Sequence, residues 1–190
     1  MPALSIPFQV SIYCWFAIEV VLLVRDLVRR KGRLRRDRGT RAAVSLSLVV
    51  SILFGWLMRL WAPALDMPAA DAFAVAGIVL IWAGLAVRVW AVVTLGRSFS
   101  TFLQVRADQA VITRGPYRWV RHPSYTGLLL VALGFGLGAG NWLALAICAV
   151  VPLLGLLPRI AVEESEMIRV LGEQYRSYQR TTHRLLPGLW

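Results

Sequence analysis

The chain has 190 residues, of which 58% are hydrophobic and only 16% are charged, and its mean hydropathy is +0.63. Soluble domains have about 25% charged and about 45–50% apolar residues, so this composition excludes an ordinary soluble globular protein, and also a disordered chain. The net charge is +11, from 21 basic and 10 acidic residues. In a membrane protein such an excess is typical of cytoplasmic loops and of contact with anionic headgroups.

The apolar runs predict membrane-spanning helices, since a span needs about 20 apolar residues. Three runs have that length, and a fourth stretch divides into two halves of about 15–17 residues, which favours a tight helical hairpin. The runs lie at about 4–24, 42–62, 72–95 and 125–157, with the division near 138–141. We therefore predict one membrane domain over 1–190, all-α, with about five transmembrane helices. Residues 1–64 are its N-terminal two-helix part.

The charges between the runs predict the orientation. Nine basic residues fall in 25–41, five arginines in 97–121 and five from position 159 onward, whereas 62–71 contains two acids and no basic residue. The positive-inside rule then places the N-terminus outside and the C-terminus in the cytoplasm. No aromatic residue interleaves with the arginine run, so a nucleic-acid partner is not expected. A composition with one lysine and twenty arginines favours a bacterial source and hence the inner membrane.

The densest polar stretch is GPYRWVRHPSYTG at 115–127. Its two prolines restrict the backbone, Ser124 is placed to cap the following helix, and His122 can titrate near neutrality. The alternative for this stretch is an interfacial belt, with aromatic rings at headgroup depth and arginines on phosphates.

The region 159–180 is predicted to be a cytoplasmic amphipathic helix, because its apolar residues recur at approximate helical spacing. Arg159 and Glu163 are four residues apart and can pair on one face. The alternative is a solvated surface helix that carries such pairs and has no site.

The order of these pieces resembles the isoprenylcysteine carboxyl methyltransferase family, which belongs with phospholipid methyltransferases to a wider group of membrane methyltransferases. The motifs that carry the resemblance are RHPSYTG, a hairpin, an Arg followed by Glu-Glu, GEQY and RLLP. They cover residues 95–187, the predicted methyltransferase motif region. The resemblance implies S-adenosylmethionine as the methyl donor, held between the hairpin and the C-terminal helix.

The resemblance also implies roles for single residues. The positions that look like cofactor-binding ones are His122, Tyr125, Glu163, Glu164, Leu186 and Pro187. Arg121 and Arg159 fall where family members have arginines that matter for methyl transfer. The sequence departs from the family at Thr182-His183, where Val-Pro is usual, and this leaves the acceptor open.

The chemistry agrees with these roles. Methyl transfer from a sulfonium is an in-line displacement that requires alignment and exclusion of water. A carboxylate acceptor is already ionised at neutral pH and needs a cationic anchor, so Arg121 and Arg159 are the predicted catalytic residues. Tyr117, Trp119 and Tyr125 are candidates for cation–π contact with the sulfonium, and we count Tyr117 among the cofactor-binding residues. The expected partners are membrane lipids and a lipophilic small molecule or prenylated acceptor, without a metal.

Two other enzymatic functions stay open. A phospholipid amine acceptor must lose a proton and needs a base, such as His122 or a glutamate. A membrane lipid reductase would bind a reduced nicotinamide instead of S-adenosylmethionine. A scaffold or transporter component is disfavoured, because the polar residues cluster at the ends of the spans and the midplane holds little that could bind a solute.

Two features outside the motifs have simpler explanations. The glycines at 134–140 have small-xxx-small spacing, which predicts close helix packing in the membrane. Arg88 and Glu19 lie inside apolar runs, where a charge is a functional candidate. Arg88 could instead extend its charge to the interface, and Glu19 could pair with Arg25 or with a neighbouring span.

Overall fold

The computed structural model describes residues 6–28, 39–99 and 110–188. Across these ranges the chain forms helices and short turns, with isolated bridges and no strand, which confirms the all-α prediction. The six α-helices are α1 Ile6–Val28, α2 Thr40–Trp61, α3 Ala70–Leu95, α4 Pro123–Ala139, α5 Trp142–Leu171 and α6 Glu173–Thr181. Much of the basic loop predicted at 25–41 lies outside the described residues, at 29–38, as does 100–109 of the loop before α4.

Four helices, α1, α2, α3 and α5, are long and apolar enough to cross a bilayer, and α4 is a shorter apolar helix of 17 residues. The protein is therefore a multi-pass integral membrane protein. The hairpin between α4 and α5 turns where the sequence predicts. Asn141 begins α5, and its side-chain oxygen accepts hydrogen bonds from the backbone N–H groups of Leu143 and Ala144. This caps two donors that would otherwise be unsatisfied.

The fifth helix is longer than predicted. α5 has 30 residues and carries Pro152 and Pro158 in its interior, so it extends about 45 Å, from the hairpin to well beyond the apolar run. It ends at Gly172, whose φ of 58° is accessible mainly to glycine. The helix predicted at 159–180 is thus two pieces, the end of α5 and the separate α6. The polar residues from Arg159 onward continue the same helix, because no residue before Gly172 ends it.

The closest helix packing is between α3 and α4, at two glycine pairs. A Cβ at Gly77 would lie 2.6 Å from the carbonyl oxygen of Gly134, and a Cβ at Gly84 would lie 2.6 Å from that of Gly127. Any side chain at these positions would force the backbones apart. The predicted packing role of the glycine-rich stretch is confirmed, whereas its partner glycines on α3 were not predicted from the sequence.

The two ends of the bundle differ in character. At one end Asn141 donates hydrogen bonds to the carbonyl of Ala62 and to Asp66 Oδ1 at 2.9 Å each, which ties the hairpin to the α2–α3 connection. At the other end α3 contacts the N-terminus of α4 through Arg88, and α5 contacts it through Glu163 and the segment after α6 through Glu164. Ser124 lies at this second end, but it does not cap α4, so that prediction is wrong. Its hydroxyl instead accepts a 2.8 Å hydrogen bond from Arg88.

Candidate functional site

The N-terminus of α4 and the C-terminal half of α5 hold one hydrogen-bonded cluster around Glu163. The Tyr125 hydroxyl donates to Glu163 Oε1 at 2.7 Å, and Arg159 Nε donates to the same oxygen at 2.9 Å. Arg159 is 1% exposed and also donates to the hydroxyl of Thr40 on α2 at 3.2 Å. The predicted i, i+4 pair of Arg159 and Glu163 is confirmed, and it is part of a site rather than of a solvated surface.

Glu164 is the centre of a second cluster, with cations on several sides. Arg121 Nε donates to Glu164 Oε1 at 2.8 Å, and His122 Nε2 lies 3.3 Å from the same oxygen. Arg184 Nε donates to the other carboxylate oxygen at 3.0 Å. Such charge-assisted hydrogen bonds compensate the cost of burying Glu164, which is 4% exposed.

His122 joins the two clusters. Its Nδ1 lies 3.6 Å from Glu163 Oε2, and its other ring nitrogen faces Glu164. The imidazole also stacks on the Tyr125 ring, with centroids 5.6 Å apart and planes within 13°. The RHPSY motif and the Glu-Glu pair, separated by a whole hairpin in sequence, therefore form one site.

The segment after α6 completes this site by pairing with the backbone before α4. The N–H of Arg121 donates to the carbonyl of His183 at 2.8 Å, and the N–H of His122 donates to that of Arg184 at 3.0 Å. The Arg121 guanidinium also donates to the carbonyl oxygens of Gln179 and Thr182. Thr182 and His183, the two positions at which the sequence was expected to depart from the family, thus contribute through their backbone carbonyls.

The short turn at 115–118 separates its aromatic residues. Tyr117 is 6% exposed and lines a cavity, and its carbonyl accepts a 2.7 Å hydrogen bond from the Tyr178 hydroxyl. Burial raises the pKa of both phenols above the usual value of 10. Trp119 is 43% exposed and turns away from the cavity. Tyr117 therefore borders the cavity and Trp119 does not, so contact of Trp119 with a sulfonium receives no support, and the belt alternative stays open for this residue.

The cavity has a volume of about 210 Å³ and joins the charged cluster to the apolar interior of the bundle. Its charged walls come from four arginines and two glutamates: Arg41, Arg88, Arg121, Arg159, Glu19 and Glu163. Its apolar walls come from α1 to α4, from the segment before the 115–118 turn and from the end of α5: Leu23, Val44, Leu48, Leu95, Leu128, Phe99, Val111, Ile112, Met167 and Leu171. One compartment thus offers a polar end with excess positive charge and a hydrophobic end.

Three predicted cofactor-binding residues do not line this cavity. Glu164 lies behind His122 and orients it, while Leu186, 46% exposed, and Pro187 lie on the outer side of the terminal segment. The contact of these residues with a cofactor stays a prediction.

Sequence reasoning left the roles of Glu19 and Arg88 open, although both line the cavity. Arg88 donates to Glu19 Oε2 at 2.7 Å, across the α1–α3 interface, and is 4% exposed. Extension of Arg88 to the interface is therefore wrong, and the partner of Glu19 is on a neighbouring span. Two opposite charges in separate spans are a usable signal, because each needs a partner in the membrane.

The fold and the cavity define an integral membrane protein with a charged cavity at one end of a helical bundle. The sequence profile of the isoprenylcysteine carboxyl methyltransferase (ICMT) family matches residues 76–169. The chain is 30% identical over 158 residues to a probable protein-S-isoprenylcysteine O-methyltransferase of Oryza sativa subsp. indica, which covers 80% of this chain and 82% of the relative. The protein belongs to the ICMT family, as its motifs predict.

Two further comparisons agree. The protein-S-isoprenylcysteine O-methyltransferase of Saccharomyces cerevisiae is 35% identical over 107 residues, 55% of this chain and 45% of that one. The solved structure of the eukaryotic intramembrane Ras methyltransferase ICMT superposes with a TM-score of 0.73 at 22% identity, over 99% of this chain and 68% of that one. This likeness concerns the fold. The relatives named here are eukaryotic, so they give the predicted bacterial origin no support.

Proposed function

We propose that this protein transfers a methyl group from S-adenosylmethionine to the carboxylate of a lipophilic, isoprenylcysteine-like acceptor. The observation that carries the proposal is the single cavity with a charged end and an apolar end. A soluble, charged donor and a hydrophobic acceptor must meet in one compartment that excludes water. This cavity has a charged end that suits the donor and an apolar end that suits the acceptor. The family membership and the names of the relatives support the same reaction.

The residues of the charged end fit S-adenosylmethionine. His122, Tyr125 and Glu163 offer hydrogen-bonding groups of both kinds to an amino-acid zwitterion, and the ring of Tyr117 offers a π face to a sulfonium. When bound, the donor supplies an electrophilic methyl group, which goes to a carboxylate oxygen as the carbon–sulfur bond breaks. No proton is transferred in this step, so the site needs no general base.

The charge of the cavity favours a carboxylate acceptor over a phospholipid amine. Four arginines face two glutamates in its lining, and a net positive wall attracts a carboxylate and repels an ammonium group. Arg121 and Arg159 are held by several hydrogen bonds each, so in our proposal they act as oriented charges that need not move. Arg88 adds a third cation near Tyr117 and Ser124.

We also propose that the site faces the cytoplasm. Arg25, in the last turn of α1, donates to the carbonyl of Phe99 just after α3. The C-terminal ends of α1 and α3 therefore share the site's end of the bundle, while Asp66 and Asn141 lie at the other end. If α4 is counted as a full span, the protein has five transmembrane helices. The positive-inside rule then places the site on the cytoplasmic side, where the soluble cofactor can reach it. α6, with Tyr175 and Tyr178 buried, is the amphipathic surface helix of this arrangement.

The test is methyl transfer by the purified protein in lipid nanodiscs. Methyl-tritiated S-adenosylmethionine is supplied with N-acetyl-S-farnesylcysteine, and mild base is used to release esterified label as methanol. We expect base-labile label, and none with the matched amide, N-acetyl-S-farnesylcysteine amide, which lacks the carboxylate. Base-stable label in phosphatidylethanolamine would instead establish the amine reaction. Binding of a reduced nicotinamide without binding of S-adenosylmethionine would establish the reductase.

A further inference from the structure

An aromatic and basic cluster lies on the outer surface, on the opposite side of the 115–118 turn from the cavity. The indole rings of Trp90 on α3 and Trp119 pack edge to face, with centroids 6.1 Å apart. The guanidinium carbon of Arg118 lies 3.7 Å from the centre of a Trp119 ring. Arg114, at the start of the same turn, is exposed to solvent. We call these four residues the Trp–Arg shelf.

The shelf lies directly beside the lipid-facing surface of α3. Val89 and Val93 are 42% and 70% exposed, and Trp90, between them in sequence, is 47% exposed. α3 ends at Leu95, one turn beyond Trp90. Exposed apolar side chains, two indoles and two arginines therefore lie together near the end of α3, and this is the combination found at a membrane–water boundary.

We propose that the Trp–Arg shelf is a binding site for the phosphate headgroup of an anionic phospholipid. A guanidinium stacked on an indole keeps its edge N–H groups free to donate to phosphate oxygens, and stacking limits its rotamers before a lipid arrives. The two arginines match a negative headgroup in charge, and the indoles match the depth at which it lies. This proposal does not depend on the reaction that the cavity catalyses.

The test measures lipid selectivity in nanodiscs of phosphatidylcholine with 20 mol% of a dibrominated lipid, either phosphatidylglycerol or phosphatidylcholine with the same chains. Bromine quenches nearby indoles, and Trp90 and Trp119 are two of the eight tryptophans. Lipid at the shelf is therefore measured by the change in quenching that Arg118→Gln and Arg114→Gln cause, because these variants leave the other indoles unaltered. We expect stronger quenching by the anionic lipid in the unsubstituted protein. Arg118→Gln should lower the relative association constant of the anionic lipid about fivefold, as expected for the loss of one cation at an anionic surface, and Arg114→Gln should act in the same direction.

The matched control is Arg176→Gln, which removes the same charge from α6 at the same end of the protein. Arg176 is exposed and lies 3.6 Å from Glu173, so its loss should leave the selectivity unchanged. Circular dichroism in pure phosphatidylcholine nanodiscs checks that each variant is folded. Equal quenching by the two lipids in the unsubstituted protein, unchanged selectivity in Arg118→Gln, or an equal loss in Arg176→Gln would overturn the proposal, the last because it indicates diffuse attraction.

Discussion

Replacing Gly84 with alanine adds a methyl group to the closest contact between α3 and α4. The new Cβ would lie 2.6 Å from the carbonyl oxygen of Gly127 and 2.9 Å from the amide nitrogen of Val131. Carbon normally approaches a carbonyl oxygen to about 3.3–3.6 Å, so the helices must separate by roughly 0.7–1 Å. Overpacking of this kind costs about 1–3 kcal/mol, and the opposing atoms are backbone, which favours the upper end.

Alanine also gains about 1 kcal/mol over glycine in a helix interior. We therefore expect Gly84→Ala to lower the free energy of unfolding by about 1–2 kcal/mol. Gly127→Ala should act alike, because its Cβ would lie 2.6 Å from the carbonyl oxygen of Gly84. The measurement is reversible unfolding in mixed micelles with increasing sodium dodecyl sulfate, followed by circular dichroism.

Ala86→Leu is the control, since it adds more volume to an exposed position of the same helix. Its free energy of unfolding should lie within about 0.5 kcal/mol of that of the unsubstituted protein. If Gly84→Ala and Gly127→Ala were as stable as the unsubstituted protein or more so, helix propensity alone would describe these positions, and the close-packing argument would be refuted.

Three other outcomes are expected. His122→Ala should weaken S-adenosylmethionine binding about tenfold, as for loss of a hydrogen bond in a charged cluster, and unchanged calorimetric affinity would remove His122 from the cofactor site. Glu19→Leu should lower the free energy of unfolding by about 3 kcal/mol, because it leaves the buried cation of Arg88 unpaired. Adding Arg88→Met should restore much of the lost stability. A double variant as unstable as Glu19→Leu would contradict the pairing. Burial raises the pKa of Tyr117 and Tyr178, so the folded state favours the neutral phenol. Stability should be complete below about pH 10 and fall above it, where only the unfolded chain ionises. Absorbance at 295 nm should then show these tyrosines ionising only with unfolding, and full ionisation in a folded protein would contradict the burial.

Hydropathy was sufficient to predict four membrane-spanning helices and the helical hairpin, and the order of the motifs was sufficient to predict that its two flanks lie together. The bilayer sets the length of each apolar run, and Asn141 follows the glycine turn with a side chain suited to capping. The resemblance placed His122 and Glu163, 41 positions apart, at one cofactor site, and their contact in the structure agrees with the hairpin, because a tight turn brings its two flanks to the same end of the bundle.

The features that could not be predicted from the sequence depend on the rotation of each helix about its axis and on where a helix ends. Glu19 and Arg88 pair only if α1 and α3 present those faces to each other, which no periodicity reveals in helices that are apolar all round. Tyr117 and Trp119 are two residues apart in a short turn and point to opposite sides, so composition assigns both to one belt. The length of α5 escaped prediction because polarity changes at Arg159 while the helix does not.

The pairing of His183 and Arg184 with the backbone of Arg121 and His122 has a consequence for biosynthesis. The helices α1 to α5 precede these residues in the order of translation, and the closing contacts of the cluster come from the segment after α6. A chain that ended at Gly172 would carry these five helices and Glu164, yet would lack Arg184 and the carbonyls that receive Arg121. The polar cluster is thus completed only after the last of the five helices has been synthesised.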